Sequence, residues 1–282
     1  MLYENESYRN LFELDNVSQC LIEGIDIDEK FKTVSYNPSH ENYVSTSVEK
    51  NPTKNTGFGK DINVWSIFRR NRIDKRDNID GNPLLYAFKN ENDWKFKRKE
   101  DRTNILNQIA LIVDKFNSNN QYNPTIVLPS GSQLNIILAN IIKQRNPLTI
   151  IINDVLVKMS ADDVYNNVTK FNTEFRKLYN TRKKFDTAIR ELKGYIYLMN
   201  QKRNGLFTYH FIKNDKMREV IGQTLKLSSD DCGKYSEEIN EKDILIVDDS
   251  ISQGNTVNYA CDLIRSTFTP KSITVLTLFS KL

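Results

Sequence analysis

Apolar residues in this chain follow two different periods, and the order in which those periods alternate predicts its architecture. Between residues 102 and 116 they recur at three- and four-residue steps, at Ile105, Leu106, Ile109, Ile112, Val113 and Phe116, which is one face of a helix that Asn117-Ser118-Asn119-Asn120 closes. Residues 125–128, 148–152, 244–247 and 273–278 are instead short, largely unbroken apolar runs, the pattern of strands covered on both faces in a parallel sheet. Helical patterns follow two of them: Ile136, Ile137, Ala139, Asn140, Ile141 and Ile142 after the first run, and Val257, Ala260, Cys261 and Ile264 after the third. Strands alternating with helices predict an α/β fold, a mostly parallel sheet flanked by helices.

The remaining segments divide the chain. Residues 1–80 are rich in Asn, Ser, Asp and Glu and read as an extension of short strands and loops that decorates the core. Gly81-Asn82-Pro83 marks a turn, and residues 84–88 make a short apolar segment that opens a core running from 81 to 282. Within that core, residues from about 160 to 240 separate two strands by far more than one crossover requires. Ser160 with Asp163 looks like a helix start, and Phe171, Phe175, Leu178, Ile189, Leu192, Tyr195, Ile196 and Met199 form apolar stripes, so this stretch reads as a helical insertion. Leu206-Phe207-Thr208-Tyr209-His210-Phe211 reads as a strand within it.

The chemistry concentrates after the run Ile244-Leu245-Ile246-Val247. Asp248 and Asp249 stand at the carboxyl end of this strand, where open α/β sheets bind their ligands. Ser250, Ser252, Gln253, Gly254, Asn255 and Thr256 then lead into the next helix. Hydroxyls beside the free N–H groups of a helix start attract phosphate, and Gly254 lets the backbone approach an anion closely. A second turn, Pro129-Ser130-Gly131-Ser132, lies between the first strand and its helix and can aim two hydroxyls and several N–H groups at a diphosphate. The plain alternative is a buried strand whose aspartates cap the following helix. Apolar-Asp-Asp runs also occur in Walker B strands and receiver domains, but no G-x-x-x-x-G-K-[ST] is present, and a receiver places its acids early with more sheet to follow.

Taken in order, the Pro-Ser-Gly-Ser turn and the later Asp-Asp-Ser-Ile-Ser-Gln-Gly-Asn-Thr segment resemble the two loops of the type I phosphoribosyltransferases. Gln253 and Asn255 depart from that family's commonest form without removing a backbone amide. The resemblance implies that Asp248 and Asp249 contact the ribose hydroxyls of phosphoribosyl pyrophosphate, with magnesium touching the acids only indirectly. It also implies that residues 250 and 252–256 wrap the 5-phosphate, and that Ser130, Gly131 and Ser132 hold pyrophosphate. Lys158 is the candidate basic residue at the leaving group, with Arg218 and the Arg182-Lys183-Lys184 cluster as further candidates. Family members vary most in a hood over the acceptor, a part the insertion and the amino-terminal extension would supply here. The chain also resembles the phosphoribosyltransferase-like effectors of bacterial conflict and antiphage operons, including retron systems. That resemblance implies a transferase or toxin effector in antiviral defence, with an operon partner protein and a nucleotide, base or nucleic acid as acceptor. A salvage enzyme, or a non-catalytic regulator that senses phosphoribosyl pyrophosphate, are the alternatives.

Composition narrows the setting. Hydrophobic residues make up 39% of the chain and mean hydropathy is −0.56, and no apolar run approaches the ~20 residues of a membrane helix. With an acidic rather than signal-like start, the expectation is a cytoplasmic protein. Cys20, Cys232 and Cys261 lie far apart without a C-x-x-C, which argues against a zinc site or disulfide framework. The net charge of +4 is uneven: residues 69–76 and 95–102 interleave Lys and Arg near Trp65, Phe68, Trp94 and Phe96, a pattern compatible with nucleic acid and also with a solvated face over an aromatic core. The last strand lies at the very end, so a homo-oligomer or partner interface at the sheet edge is a further expectation.

Overall fold

The structure, a computed structural model, describes residues 23–56, 62–71, 81–118, 121–202, 204–222, 224–228, 233–251 and 254–279. In chain order the first elements are β1 (Gly24–Asp28), β2 (Thr33–Asn37), β3 (Val44–Ser45), β4 (Thr53–Asn55), β5 (Ile62–Arg70), α1 (Asn82–Lys89), β6 (Lys95–Phe96), α2 (Lys99–Ser118), β7 (Thr125–Val127), α3 (Leu134–Arg145) and β8 (Ile151–Ile152). There follow β9 (Leu156–Lys158), α4 (Ala161–Lys170), α5 (Thr173–Leu178), α6 (Arg182–Lys202), α7 (Asp215–Val220), β10 (Leu225–Leu227), α8 (Ser236–Ile239), β11 (Asp243–Ser250), α9 (Asn255–Thr267) and β12 (Ser272–Phe279). The chain divides into two compact units, one of residues 1–151, 242–252 and 271–282, the other of residues 152–241 and 253–270.

The first unit is built on a sheet in the order β3-β5-β12-β11-β7-β8, with β4 also on β5. Its central strands β5, β12, β11 and β7 pair parallel, whereas β3 and β4 run antiparallel to β5. The class is α/β as the alternating periods predict, and the sheet is mixed. A smaller sheet joins the β1–β2 hairpin to β6. Leu245 and Val247 of β11 and Leu276 and Leu278 of β12 are covered by α1, α2 and α3 through Leu84, Leu85, Ile105, Ile109, Leu138 and Ile142. Each such buried aliphatic side chain contributes about 1.5–3 kcal/mol relative to exposure.

Two expectations change here. Residues 1–80 do more than decorate the core, since β5 is an interior strand of the main sheet, bonded to β12 along residues 62–68. The apolar segment at 84–88 is the helix α1, started by Pro83 in its first turn and ended by Asn90 in a left-handed conformation at φ 52°.

The second unit is mainly helical. α4, α5, α6 and α7 enclose a core of Val164, Val168, Phe175, Leu192, Ile196 and Met217. Ser160 caps α4 as its sequence suggests, its Oγ accepting from the Asp163 N–H at 3.0 Å. The strand expected at 206–211 is reduced to one bridge, Leu206 to Ser160, and a 3-10 turn at Tyr209–Phe211. The reason is its partner: Ser160 immediately opens α4, so extended backbone ends after one pairing. Within α6, a Cβ built at Gly194 meets nothing within 4 Å, so no packing demands glycine there. Gly194→Ala is therefore expected to raise the unfolding free energy of this unit by about 0.5–1 kcal/mol, measurable by denaturant unfolding monitored by circular dichroism.

Candidate functional site

β11 and β7 are neighbours whose chains leave in opposite directions, β7 being followed in the sheet by β8 on one side and β11 by β12 on the other. In open α/β sheets, ligands bind at the carboxyl ends of strands where the order reverses in this way. Asp248, Asp249 and Ser250 stand at that end of β11, and Pro129 to Ser132 follow β7.

The acids lie in the last residues of the strand itself, at its carboxyl end. β11 runs through both and through Ser250, held by parallel pairing of Asp248 with Thr277 and Ser250 with Phe279. Consecutive strand residues alternate between the two sides of the sheet, which puts Asp249 on the side of Leu245 and Val247. Asp249 is buried, at 7% exposure, and both of its oxygens are engaged. Oδ2 receives the Lys89 ammonium at 2.7 Å and the Ser130 hydroxyl at 2.9 Å, while Oδ1 accepts from the Ser250 hydroxyl at 2.9 Å. Asp248 keeps part of its surface accessible. Its Oδ1 accepts from Asn135 Nδ2 at 3.1 Å and from the Asp249 N–H at 2.9 Å.

Burial, and next the Asp249 carboxylate beside it, push the Asp248 carboxyl up to about 7, against the weaker opposing pull of Asn135, the Asp249 N–H and Lys89. The two acids therefore differ in kind. Asp249 is an anchored member of a hydrogen-bonded ion pair. Asp248 is an acid that changes charge near neutrality.

The Ser-Gly-Ser turn is closed on itself and on the acid pair. Ser130 Oγ donates to Asp249 and accepts from the Ser132 N–H at 3.2 Å, and Ser132 Oγ caps the Leu134 N–H at 3.4 Å. Gly131, exposed at the turn's tip, separates them. Of the two serines assigned to a diphosphate, Ser130 thus reaches the acids, its hydroxyl turned toward Asp249, while Ser132 is tied to Ser130 and to the start of α3.

The other assigned residues belong to the second unit. Gly254 takes φ 79°, a left-handed conformation in which any side chain is strained, and caps α9 by accepting from the Asn258 N–H at 2.8 Å. Thr256 lies in the first turn of α9, half-buried. Asn255 Nδ2 donates to the Arg218 carbonyl at 3.5 Å, and the Arg218 guanidinium donates to the Tyr209 carbonyl at 2.9 Å. Arg218 thereby braces α7 rather than standing out as a free cation. Lys158 ends β9, paired with Leu225 of β10. Ser252 and Gln253 lie outside the described residues, as do residues 72–80, which hold part of the basic segment 69–76. In the segment 95–102, Lys95 and Lys97 are exposed and Arg98 pairs with Asp101 at 2.9 Å.

Sequence reading missed Lys89 and Asn135. Asn135 was detectable, because it shares a helix face with Leu138 and Ile142 and so is a polar group aimed at the core. Lys89 carried one indirect signal: a buried carboxylate demands a cation, and this lysine ends an apolar helix. Comparison of the chain with family models, with curated proteins and with solved structures gave no match.

Proposed function

We propose that the chain is a phosphoribosyltransferase-like protein whose acid pair binds the ribose of phosphoribosyl pyrophosphate and whose activity is transfer of ribose 5-phosphate to an acceptor. The observation that carries this reading is the convergence of Ser130 on Asp249 at 2.9 Å, across 119 residues, at the carboxyl ends of two adjacent parallel strands. The strand succession β7-β11-β12 supports the same reading. In it, Asp248 and Asp249 accept ribose hydroxyls and favour positive charge developing at C1 as the C1–O bond to pyrophosphate breaks and a bond to the acceptor forms. Among the described residues, no group of three or more His, Cys, Asp and Glu is placed to hold a metal ion, and Lys89 already occupies Asp249. The acids thus do not fit directly bound magnesium, which enters only as part of the substrate, on its diphosphate.

A role as effector in antiphage defence, with a nucleotide or nucleic acid as acceptor and an operon partner, belongs to this proposal as its biological setting. Among the described residues no helix is long and apolar enough to cross a membrane. The second reading, a sensor that binds the ligand without turnover, is favoured by one feature: Asp249 is satisfied by internal partners alone.

The test is pyrophosphate release from magnesium phosphoribosyl pyrophosphate, with nucleotides and RNA supplied as acceptors. Release by wild type that falls at least 100-fold in Asp248→Asn/Asp249→Asn is the expected result. Calorimetric binding without release assigns the sensor, and absence of binding overturns both readings.

A further inference from the structure

We propose that the exposed face of α6 binds single-stranded nucleic acid, gripping the phosphodiester backbone and stacking one base. This inference is independent of the acid-pair site.

α6 carries six Lys and Arg against two Asp and Glu. Lys183, Arg190 and Tyr197 recur at seven-residue steps, so they form one stripe with about 10 Å between successive members, and Lys193 flanks it. All four side chains are exposed, Tyr197 by 63%. Among the described residues, none of Lys183, Arg190 and Lys193 has a carboxylate partner, although carboxylates are near at hand: Arg182 takes Asp186 at 4.0 Å, and Glu191 accepts from Tyr195 at 2.7 Å. An ordinary solvated helix face pairs opposite charges at three- and four-residue steps. This face carries Lys183, Arg190 and Lys193 against the single acid Asp186, a net positive charge around an exposed aromatic ring.

Gly194 supplies a second observation. It lies within the stripe between Arg190 and Tyr197, and a Cβ there would touch nothing. A glycine in mid-helix weakens the helix, and the unit's own packing does not require this one. Its effect is a shallow gap beside the tyrosine, where a polymer backbone can lie close to the helix.

Charge complementarity selects a polyanion, and the aromatic ring selects one with flat bases to stack. An anionic membrane fits less well. A helix lying on a bilayer inserts its apolar face, and in α6 that face, Ala188, Leu192, Ile196 and Met199, is already buried in the unit's core.

The experiment is fluorescence anisotropy of a labelled 20-nucleotide oligothymidylate with the full chain. Wild type is expected to bind with a log affinity that falls against log salt with a slope of about −2, for roughly three phosphates contacted on a single strand. Lys183→Glu/Arg190→Glu abolishes this binding, and Tyr197→Ala weakens it about ten-fold or more, whereas Tyr197→Phe preserves it. Circular dichroism verifies that these exposed substitutions leave the helix intact. The proposal is overturned if wild type does not bind, if the double charge reversal binds as wild type does, or if Lys95→Glu/Lys97→Glu removes binding instead. It is equally overturned if Tyr197→Ala binds undiminished, or if phosphatidylserine vesicles, and not the oligonucleotide, are what the α6 charge reversal releases.

Discussion

Replacing Lys89 by methionine is expected to lower the unfolding free energy of the first unit by about 2–4 kcal/mol, because it strands Asp249 as a buried carboxylate without its cation. The pair is short, at 2.7 Å, and the two side chains retain only 15% and 10% exposure. Loss of one partner from a buried pair costs on the order of 3–5 kcal/mol, and the Ser130 and Ser250 hydroxyls that stay on Asp249 place this case toward the lower end. Methionine keeps the length of the lysine stem, so the loss reports charge rather than a cavity. The chain's tryptophans, Trp65 and Trp94, both lie in this unit and supply the fluorescence signal for denaturant unfolding. Lys89→Met/Asp249→Asn is expected to recover most of the loss, since removing both charges leaves nothing uncompensated. A single-mutant cost below about 1 kcal/mol would place the pair in the class of solvent-screened surface bridges instead.

The same pair marks where local reading of the sequence ends. α9 buries Val257, Ala260, Cys261 and Ile264, the positions its period names, and α2 buries every apolar position expected of it. Those faces were legible because periodicity is a local property. β5 was not, since its burial follows neither period: Val64, Ser66, Ile67 and Phe68 are all buried in a strand interior to the sheet, within a segment otherwise dominated by polar residues. The extension of β11 past the acids through Ser250 was hidden for a related reason. Asp248, Asp249 and Ser250 have little strand preference of their own, and pairing with Thr277 and Phe279 holds them. Lys89 and Ser130 reach Asp249 from 160 and 119 residues away, and no spacing rule connects them. The candidate acids, Ser130 and Ser250 could be named from sequence; the cation, and the pairing of those serines with Asp249, could not.

Asp248 gives the second large effect, a stability that falls as pH rises. Its folded-state carboxyl is raised from 3.8 to about 7, by burial first and Asp249 second. Between those values the folded chain holds a proton that the unfolded chain has released, so stability is fully present below the unfolded value and is lost as pH climbs through the folded one. At about 1.4 kcal/mol per pH unit the full loss is on the order of 4 kcal/mol. Asp248→Asn cannot titrate, so the difference between wild-type and variant unfolding free energies, measured from about pH 5 to pH 8, reports this carboxyl together with the Asp249 beside it. The variant is expected to gain on wild type across that interval, and a flat difference would mean that the acid is ionised throughout. The cost has a functional counterpart. A neutral carboxyl accepts one hydroxyl poorly, whereas a carboxylate accepts two well, so a ligand bearing adjacent hydroxyls selects the ionised form and releases the proton on binding. Binding of phosphoribosyl pyrophosphate should therefore tighten as pH rises through about 7 and lose that dependence in Asp248→Asn, tying the strained acid of the free protein to the ligand proposed to relieve it.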